Sequence, residues 1–493
     1  MSKQTQIDKK KVEYYITLPK RMEDLLKAIS KNGLGIIFVV DENQKLQGAL
    51  TDGDIRRALF NGVKINEIIN KDFKFLNTNP FWLPYSSSVQ KIMSHLNQSS
   101  EKDLKCIPLL NENKEIVDIS TRNKVRSFPV ASPEIGEEEL ANVIDAISTG
   151  YISSVGKYIE QFENKFEEYI GQGYAVAVSS GTSALQLALS TLNLSKDDEV
   201  ILPNFTFGGS INSIINSGAT PVLADINIDN WTIDLNEIKK KITNKTKAIM
   251  PVHIYGQPSE MDEICEIAKK NKLLIIEDCA EAIGARYKDK IIGSHGDSSC
   301  FSFFANKTLT TGEGGMALFK KKGDAEKAKI LRDHGMSKKK KYWHDFLGFN
   351  YRMTNMQAAI GVAQIKKIDI LLKNKKKIFE YYDNKFRDNS RIFLLPKNSW
   401  SENSYWIYTI RIKGFSETKR DKFIINLKNR GVDCRPGFYP LHLMKPYKPY
   451  AKGDLKNSIS VSKNSVSLPS APNLTQQDQD FISKIFYQEL DKF

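Results

Sequence analysis

One lysine, Lys307, sits within residues 301–315, FSFFANKTLTTGEGG, between an aromatic run and a glycine-rich turn. An apolar niche penalises the ammonium form, so a lysine held there loses its proton nearer neutrality. The neutral amine is a nucleophile that condenses with a carbonyl carbon to form a Schiff base. Ser302 offers a hydroxyl to a phosphate, and Gly312, Gly314 and Gly315 let backbone approach a ligand closely. A second stretch, SSGTSALQLAL at 179–189, follows the apolar run YAVAV. A small-residue turn opening a helix presents free N–H groups and a positive dipole end to an anion. A third, LLIIEDCAEAIGARY at 273–287, ends a buried apolar run on Asp278, with Glu281 three residues on. Open α/β sheets bind ligands at such strand ends. Each stretch also has an ordinary reading. SGTSA is a common turn, Asp278 suits a helix N-cap, and Glu281 suits the third position of a capping box.

These residues need elements to position them. YAVAVSS, EVILP, TPVLADI, KAIMPVHI, KLLIIEDC and SSCFSFF read as strands separated by helical stretches up to about residue 320. Their continuous β-branched character suggests an α/β sheet covered on both faces. Residues 353–386 carry a long helical periodicity that should bridge to a smaller C-terminal domain.

The first 125 or so residues read as a separate unit. GLGIIFVVDENQKLQGALTDGDIRRAL at 33–59 is strand, turn, strand, then a helix with an acidic start. CIPLLNENKEIVDISTRNKV at 106–125 repeats that layout, and the proline-punctuated segment 122–143 reads as a linker.

The chain of 493 residues has material for two or three domains, with ordinary hydrophobic (41%) and charged (26%) fractions. No apolar run approaches the roughly 20 residues that span a bilayer, and the first residues carry no apolar signal core. The five cysteines are scattered without CxxC spacing, which fits reduced thiols and a cytoplasmic location. The net charge of +14 raises nucleic-acid binding, but the lysines are spread along the chain, densest in SKKKKYW at 337–343. A solvated basic surface, or attraction of anionic nucleotide substrates, is the expectation instead. Neither a nucleic acid, a membrane nor a metal is expected as a partner.

From about residue 129 to the C-terminus, several separate motifs in the same order resemble the DegT/DnrJ/EryC1/StrS sugar aminotransferases, which use pyridoxal 5'-phosphate (PLP). The segments FSFFANKTLTTGEGGM, YWHDFLGFNYRMTNMQAAIG and RPGFYPLHLMKPY carry a finer likeness. It is to those 4-aminotransferases of the family that act on a GDP-linked 4-keto-6-deoxymannose. The resemblance implies a fold-type I aminotransferase with a large α/β domain at 127–370 and a small α+β domain at 371–493. It implies Lys307 as the Schiff-base lysine and Gly181, Thr182 and Ser302 as phosphate contacts. Asp278 would face the pyridine nitrogen, where a carboxylate favours the protonated ring and so its action as an electron sink. Glu281 would lie at the 3'-oxygen side, and Phe207 in LPNFTFGGS would stack on the ring. Asn350 would reach the cofactor phosphate of a neighbouring subunit, which requires a homodimer or larger homo-oligomer. Arg435, Tyr439 and His442 are candidates for the nucleotide-sugar. The implied reaction moves the amino group of glutamate to a nucleotide-linked keto-sugar, for surface polysaccharide or O-antigen synthesis.

The N-terminal segment, 1–126, resembles a pair of CBS domains, modules that often bind adenosine nucleotides. Gly48, Thr51 and Asp54 carry the signature, for an adenine or guanine nucleotide. In the second copy Asp118 stands at the Gly48 position, Thr121 matches Thr51 and Lys124 replaces Asp54. A scaffold role and a nucleotide-sensing role both stay open. For the catalytic part the alternatives are a UDP-linked 4-keto or a 3-keto sugar as substrate, a family dehydratase, or a non-catalytic regulator. The dehydratases carry histidine where this chain has Lys307.

Overall fold

The computed structural model describes residues 14–85, 87, 89–97, 106–121 and 128–493. They form two compact units. One holds the chain up to Phe128 together with Lys428–Gly431, and the other holds Pro129–Leu427 and Val432–Phe493.

The N-terminal unit is built on a repeat. The hairpin Ile36–Val40 with Leu46–Thr51 pairs Ile36 with Thr51 and shifts register at Val39/Val40. The hairpin Cys106–Leu110 with Ile116–Thr121 pairs Cys106 with Thr121 and shifts at Leu109/Leu110. Every corresponding position lies at the same spacing along the chain. Gln44 and Lys114, equivalent turn residues, both take left-handed backbone, φ 61° and 63°. The turns join reciprocally: the Leu46 N–H donates to the Lys114 carbonyl and the Ile116 N–H to that of Gln44, each at 3.1 Å. Phe38, Val40, Ala49, Cys106, Leu110 and Ile116 fill the core between the two copies. The helix expected after Thr121, and Lys124 with it, lie outside the described residues.

The second unit is organised by a seven-stranded sheet. From one edge its strands are Thr220–Ala224, Glu199–Pro203, Thr246–Ile249, Leu274–Asp278, Ser298–Ser302, Gly315–Phe319 and Tyr174–Val178. The first five run parallel, and Gly315–Phe319 is antiparallel to both its neighbours. That strand is an addition to the six read from the sequence. Successive side chains alternate between two separate cores, as strand geometry requires. Ala175, Ile201, Ile275, Phe301 and Met316 pack beneath the helices Lys157–Ile170, Met261–Asn271 and Asn355–Lys366. Val176, Val200, Ile276, Cys300 and Ala317 pack beneath Gly181–Thr191, Gly208–Asn216 and Lys322–Arg332. Burial on both faces explains the unbroken apolar strands.

The helical stretch at 353–386 is two helices, Asn355–Lys366 and Ile368–Phe386, broken at Lys367 (φ −108°, ψ 10°). There the Lys367 side chain turns to Glu139 (2.7 Å) and to the Glu134 carbonyl (3.0 Å). The division expected after residue 370 therefore falls inside the first turn of Ile368–Phe386. Beyond it a four-stranded antiparallel sheet packs with that helix and Gln476–Leu490 around Tyr382, Phe386, Tyr408 and Phe486.

Lys375, on the same helix, is fully buried, and its Nζ donates to the Ser470 carbonyl at 2.8 Å. Burial pushes its amine down to about 7. The unfolded chain, with a normal lysine, holds a proton that the folded chain lacks between about pH 7 and 10.5. The destabilisation is full below that window and relieved as pH rises through it. Lys375→Met removes this titration. In chemical denaturation the wild type is therefore expected to gain on the variant from pH 7 to 10, by on the order of a few kcal/mol. A difference that stays flat over that range would rule out a neutral buried lysine.

Candidate active site

A cavity of about 400 Å³ opens where the parallel strands end, and Gly181, Thr182, Phe207, Asp278, Glu281, Ser302, Lys307 and Arg435 all line it. These residues come from five chain segments far apart in sequence, brought together by the sheet.

The helix Gly181–Thr191 starts directly on the cavity. Its N-cap, Ser180, accepts from the Ser183 N–H at 3.0 Å. The N–H groups of Gly181 and Thr182 have no acceptor among the described residues. Gly181 is required here, because a Cβ would lie 2.7 Å from that of Ser302. The ends of two strands that flank Gly315–Phe319 thus bring together a pair of free donors and a hydroxyl, a setting for a phosphate.

Asp278 is the last residue of its strand and is buried. Its Oδ2 accepts from Ser210 Oγ at 2.7 Å and its Oδ1 from the Ala280 N–H at 3.1 Å. Burial raises its carboxyl above the usual range, opposed by those two bonds and by the charge of Lys307. Glu281 accepts from the Tyr255 N–H at 2.7 Å, and burial pushes it up to about 7 against the pull of Lys307. Lys307 is held by a tight turn, its N–H donating to the Phe304 carbonyl at 2.9 Å. Burial lowers its amine, and Glu281 and Asp278 oppose this by charge alone, without a hydrogen bond. Its Nζ faces the Trp406 ring, 3.7 Å from the centroid. All three shifts point one way: desolvation drives the amine and both acids toward their neutral forms.

Three sequence candidates do not line this cavity. Asn350 is exposed, and its Oδ1 accepts from Arg352 at 3.0 Å. Tyr439 accepts from the fully buried Arg420 at 3.0 Å. His442 is anchored to buried Asn204 through its backbone N–H (3.1 Å) and its Nδ1 (2.8 Å). Of the three substrate candidates, Arg435 alone lines the cavity. Conversely, Ser210, Tyr255, Trp406 and Phe438 line it without having been singled out from sequence. Only the polar turn after LPNFTF and the YG pair at 255–256 hint at them.

The CBS signature residues are engaged by their own fold. Thr51 caps the helix Asp52–Phe60, and the Asp54 carboxylate accepts from the Thr51 N–H (2.8 Å), from its hydroxyl (2.6 Å) and from Arg57. At Gly48 a Cβ would lie 2.9 Å from the Asn77 carbonyl oxygen. In the second unit, His253, Glu277 and Cys279 hold ligand atoms within 4.8 Å of one another. Both imidazole nitrogens are already committed: Nε2 pairs with Glu277 (3.2 Å), and Nδ1 accepts from the Ser259 N–H (3.1 Å).

Residues 133–486 match the model of the DegT/DnrJ/EryC1/StrS aminotransferase family, and residues 14–61 match the CBS domain model. GDP-perosamine synthase of Caulobacter vibrioides is 42% identical over 352 residues, 71% of this chain and 95% of that protein. The PLP form of the putative sugar aminotransferase Spr1654 from Streptococcus pneumoniae superposes with a TM-score of 0.71 at 29% identity, over 74% of this chain and 99% of that one. Helicobacter pylori PseC, an aminotransferase of pseudoaminic acid biosynthesis, gives a TM-score of 0.71 at 28% identity, over 74% and 100%. The fold is that of the fold-type I enzymes, and the cofactor is PLP. The cavity fits it: free N–H donors suit a phosphate, a buried carboxylate suits a cationic ring nitrogen, and a desolvated amine suits an aldehyde. The chain belongs to the DegT/DnrJ/EryC1/StrS family as a PLP-dependent sugar aminotransferase, with a CBS domain in its N-terminal unit.

Proposed function

We propose that this enzyme moves the amino group of glutamate to C4 of a GDP-linked 4-keto-6-deoxymannose, giving GDP-perosamine for a surface polysaccharide. The observation that carries the reading is the meeting of Lys307, Asp278 and the Gly181 helix terminus in one cavity. The choice of sugar rests on the Caulobacter relative, matched over nearly its whole length.

PLP supplies, when bound, an electron sink for the negative charge left as a proton leaves the α-carbon of the amino acid. Gly181, Thr182 and Ser302 hold the phosphate. Asp278, fixed by Ser210, serves the ring nitrogen, and a cation there offsets the burial that otherwise raises its carboxyl. Glu281 serves the 3'-oxygen side, and Phe207 covers the ring. Lys307 would anchor the cofactor, and its free amine would take the α-proton of glutamate. In the return half its Nζ delivers a proton to the sugar carbon that accepts nitrogen. Glutamate leaves as 2-oxoglutarate, so the two halves balance. Arg435 at the cavity wall offers a cation to an anionic substrate group.

Supplying glutamate with a panel of GDP- and UDP-linked 4-keto-6-deoxysugars tests the substrate. Mass spectrometry is expected to find the aminated product only from the GDP-linked mannose derivative, and a UDP-linked product instead would refute the assignment. Lys307→Ala should lose turnover by at least a thousandfold while keeping its far-ultraviolet circular dichroism. Borohydride trapping should place the cofactor on the peptide bearing Lys307, and a label on another lysine would sink this role.

Asn350, exposed and outside its own cavity, is proposed to serve the phosphate of a second copy. Mixing Asn350→Ala with Lys307→Ala subunits should then restore part of the activity, because one site per mixed dimer lacks neither group. A fully active monomer by light scattering would exclude the shared site.

A further inference from the structure

Lys307 must be free to leave and rejoin the cofactor, so its unbound amine needs a resting place that does not trap it. A contact ion pair in a desolvated site would hold the ammonium firmly. Glu281 and Asp278 make no hydrogen bond to it. The contact that the structure provides is Trp406, 5% exposed, whose ring centroid lies 3.7 Å from Nζ. The same indole donates Nε1–H to the carbonyl of Asn306, the residue before the lysine, at 3.0 Å. Trp406 is itself held in place by stacking and by its neighbouring chain. Its ring stacks on Tyr255 (6.1 Å, 17°), which stacks in turn on Phe438 (5.3 Å, 12°). Two residues before it, Ser404 Oγ donates to the Glu281 carbonyl at 2.8 Å.

Building on the assignment of Lys307 as the reactive amine, we propose that Trp406 is its positioning residue. The indole face seats the free ε-amine, and the indole N–H fixes the backbone just before it, so that the amine stays turned to the cavity. The ring attracts the ammonium less than a touching carboxylate would, so the proton can still be released. The charged or titratable groups that face this amine are Glu281 and Asp278, with Glu313 and Arg435 at the cavity wall and the buried Tyr255 beside the indole.

The test uses the full chain freed of cofactor, so it does not depend on turnover. Lys307 is labelled with acetic anhydride across a pH series and quantified by peptide mapping, with exposed lysines of the same molecule as the internal reference. Trp406→Phe keeps a π face, whereas Trp406→Leu fills the seat without one. The midpoint for Lys307 is expected to fall in the order Trp, Phe, Leu, with the leucine variant lower by roughly 0.5–1.5 units. Trp406→Met, also lacking a π face, serves if the leucine variant does not fold. An unchanged or raised midpoint in the variants without a ring would overturn the proposal. Failure of the Lys307 assignment would register separately, as borohydride label on another lysine.

Discussion

Everything at this site depends on burying one amine and two carboxylates together at the ends of strands whose faces are already filled. The sheet has an apolar core on each side, so polar chemistry has nowhere to go but its carboxyl edge. There desolvation works on all three groups at once. It lowers Lys307, lifts Asp278 and lifts Glu281 to about 7. Lys307 opposes the shift of each acid and they oppose its own by charge, while Asp278 adds to the lift of Glu281, so none can be changed without moving the rest. Ser210, Ala280 and Tyr255 donate the hydrogen bonds that keep the two acids from being orphaned in this dry setting.

Those supports need unusual backbone. Tyr255, Gly256 and Tyr405 all have positive φ, at 51°, 82° and 57°. At Gly256 a Cβ would come within 2.3 Å of Ser404 Oγ. The Ser404 N–H donates to the Gly256 carbonyl at 3.1 Å, binding the two loops together. Left-handed conformation at a bulky tyrosine costs energy and persists only where the surroundings enforce it. Here the enforcement comes from ring stacking and from the Phe438 N–H donated to the Tyr255 hydroxyl at 2.9 Å. The strain lets one residue present its N–H to Glu281 and its ring to Trp406.

The N-terminal unit shows how a family's signature residues can serve the fold itself. The Thr51–Asp54 pair is a complete capping box, which satisfies helix donors that would otherwise be open. Gly48 admits the 76–77 segment, where Ala49 and Asn77 exchange backbone hydrogen bonds. The two hairpins share register, register shift and left-handed turn residue, so the duplication is visible in the backbone even where side chains diverge.

What the sequence by itself determined is what local pattern can carry. Both-face burial makes strands apolar throughout, so six of the seven sheet strands were readable, and so was the strand–turn–helix at Gly181. The lysine and the strand-end aspartate stood out because their neighbours are apolar and small. Gly315–Phe319 was missed, since five residues after a glycine turn have no distinctive period and their direction is set by the strands on either side. Trp406 and Tyr255 look like ordinary core aromatics in sequence, and Ser210 like an ordinary helix serine. Their roles come from contacts with residues about 26 to 100 positions away. Lys375 likewise reads as one of many surface lysines until the helix turns it onto the Ser470 carbonyl. Only the tertiary structure decides such cases, because the field and the dryness around a side chain are made by elements that the local sequence does not contain.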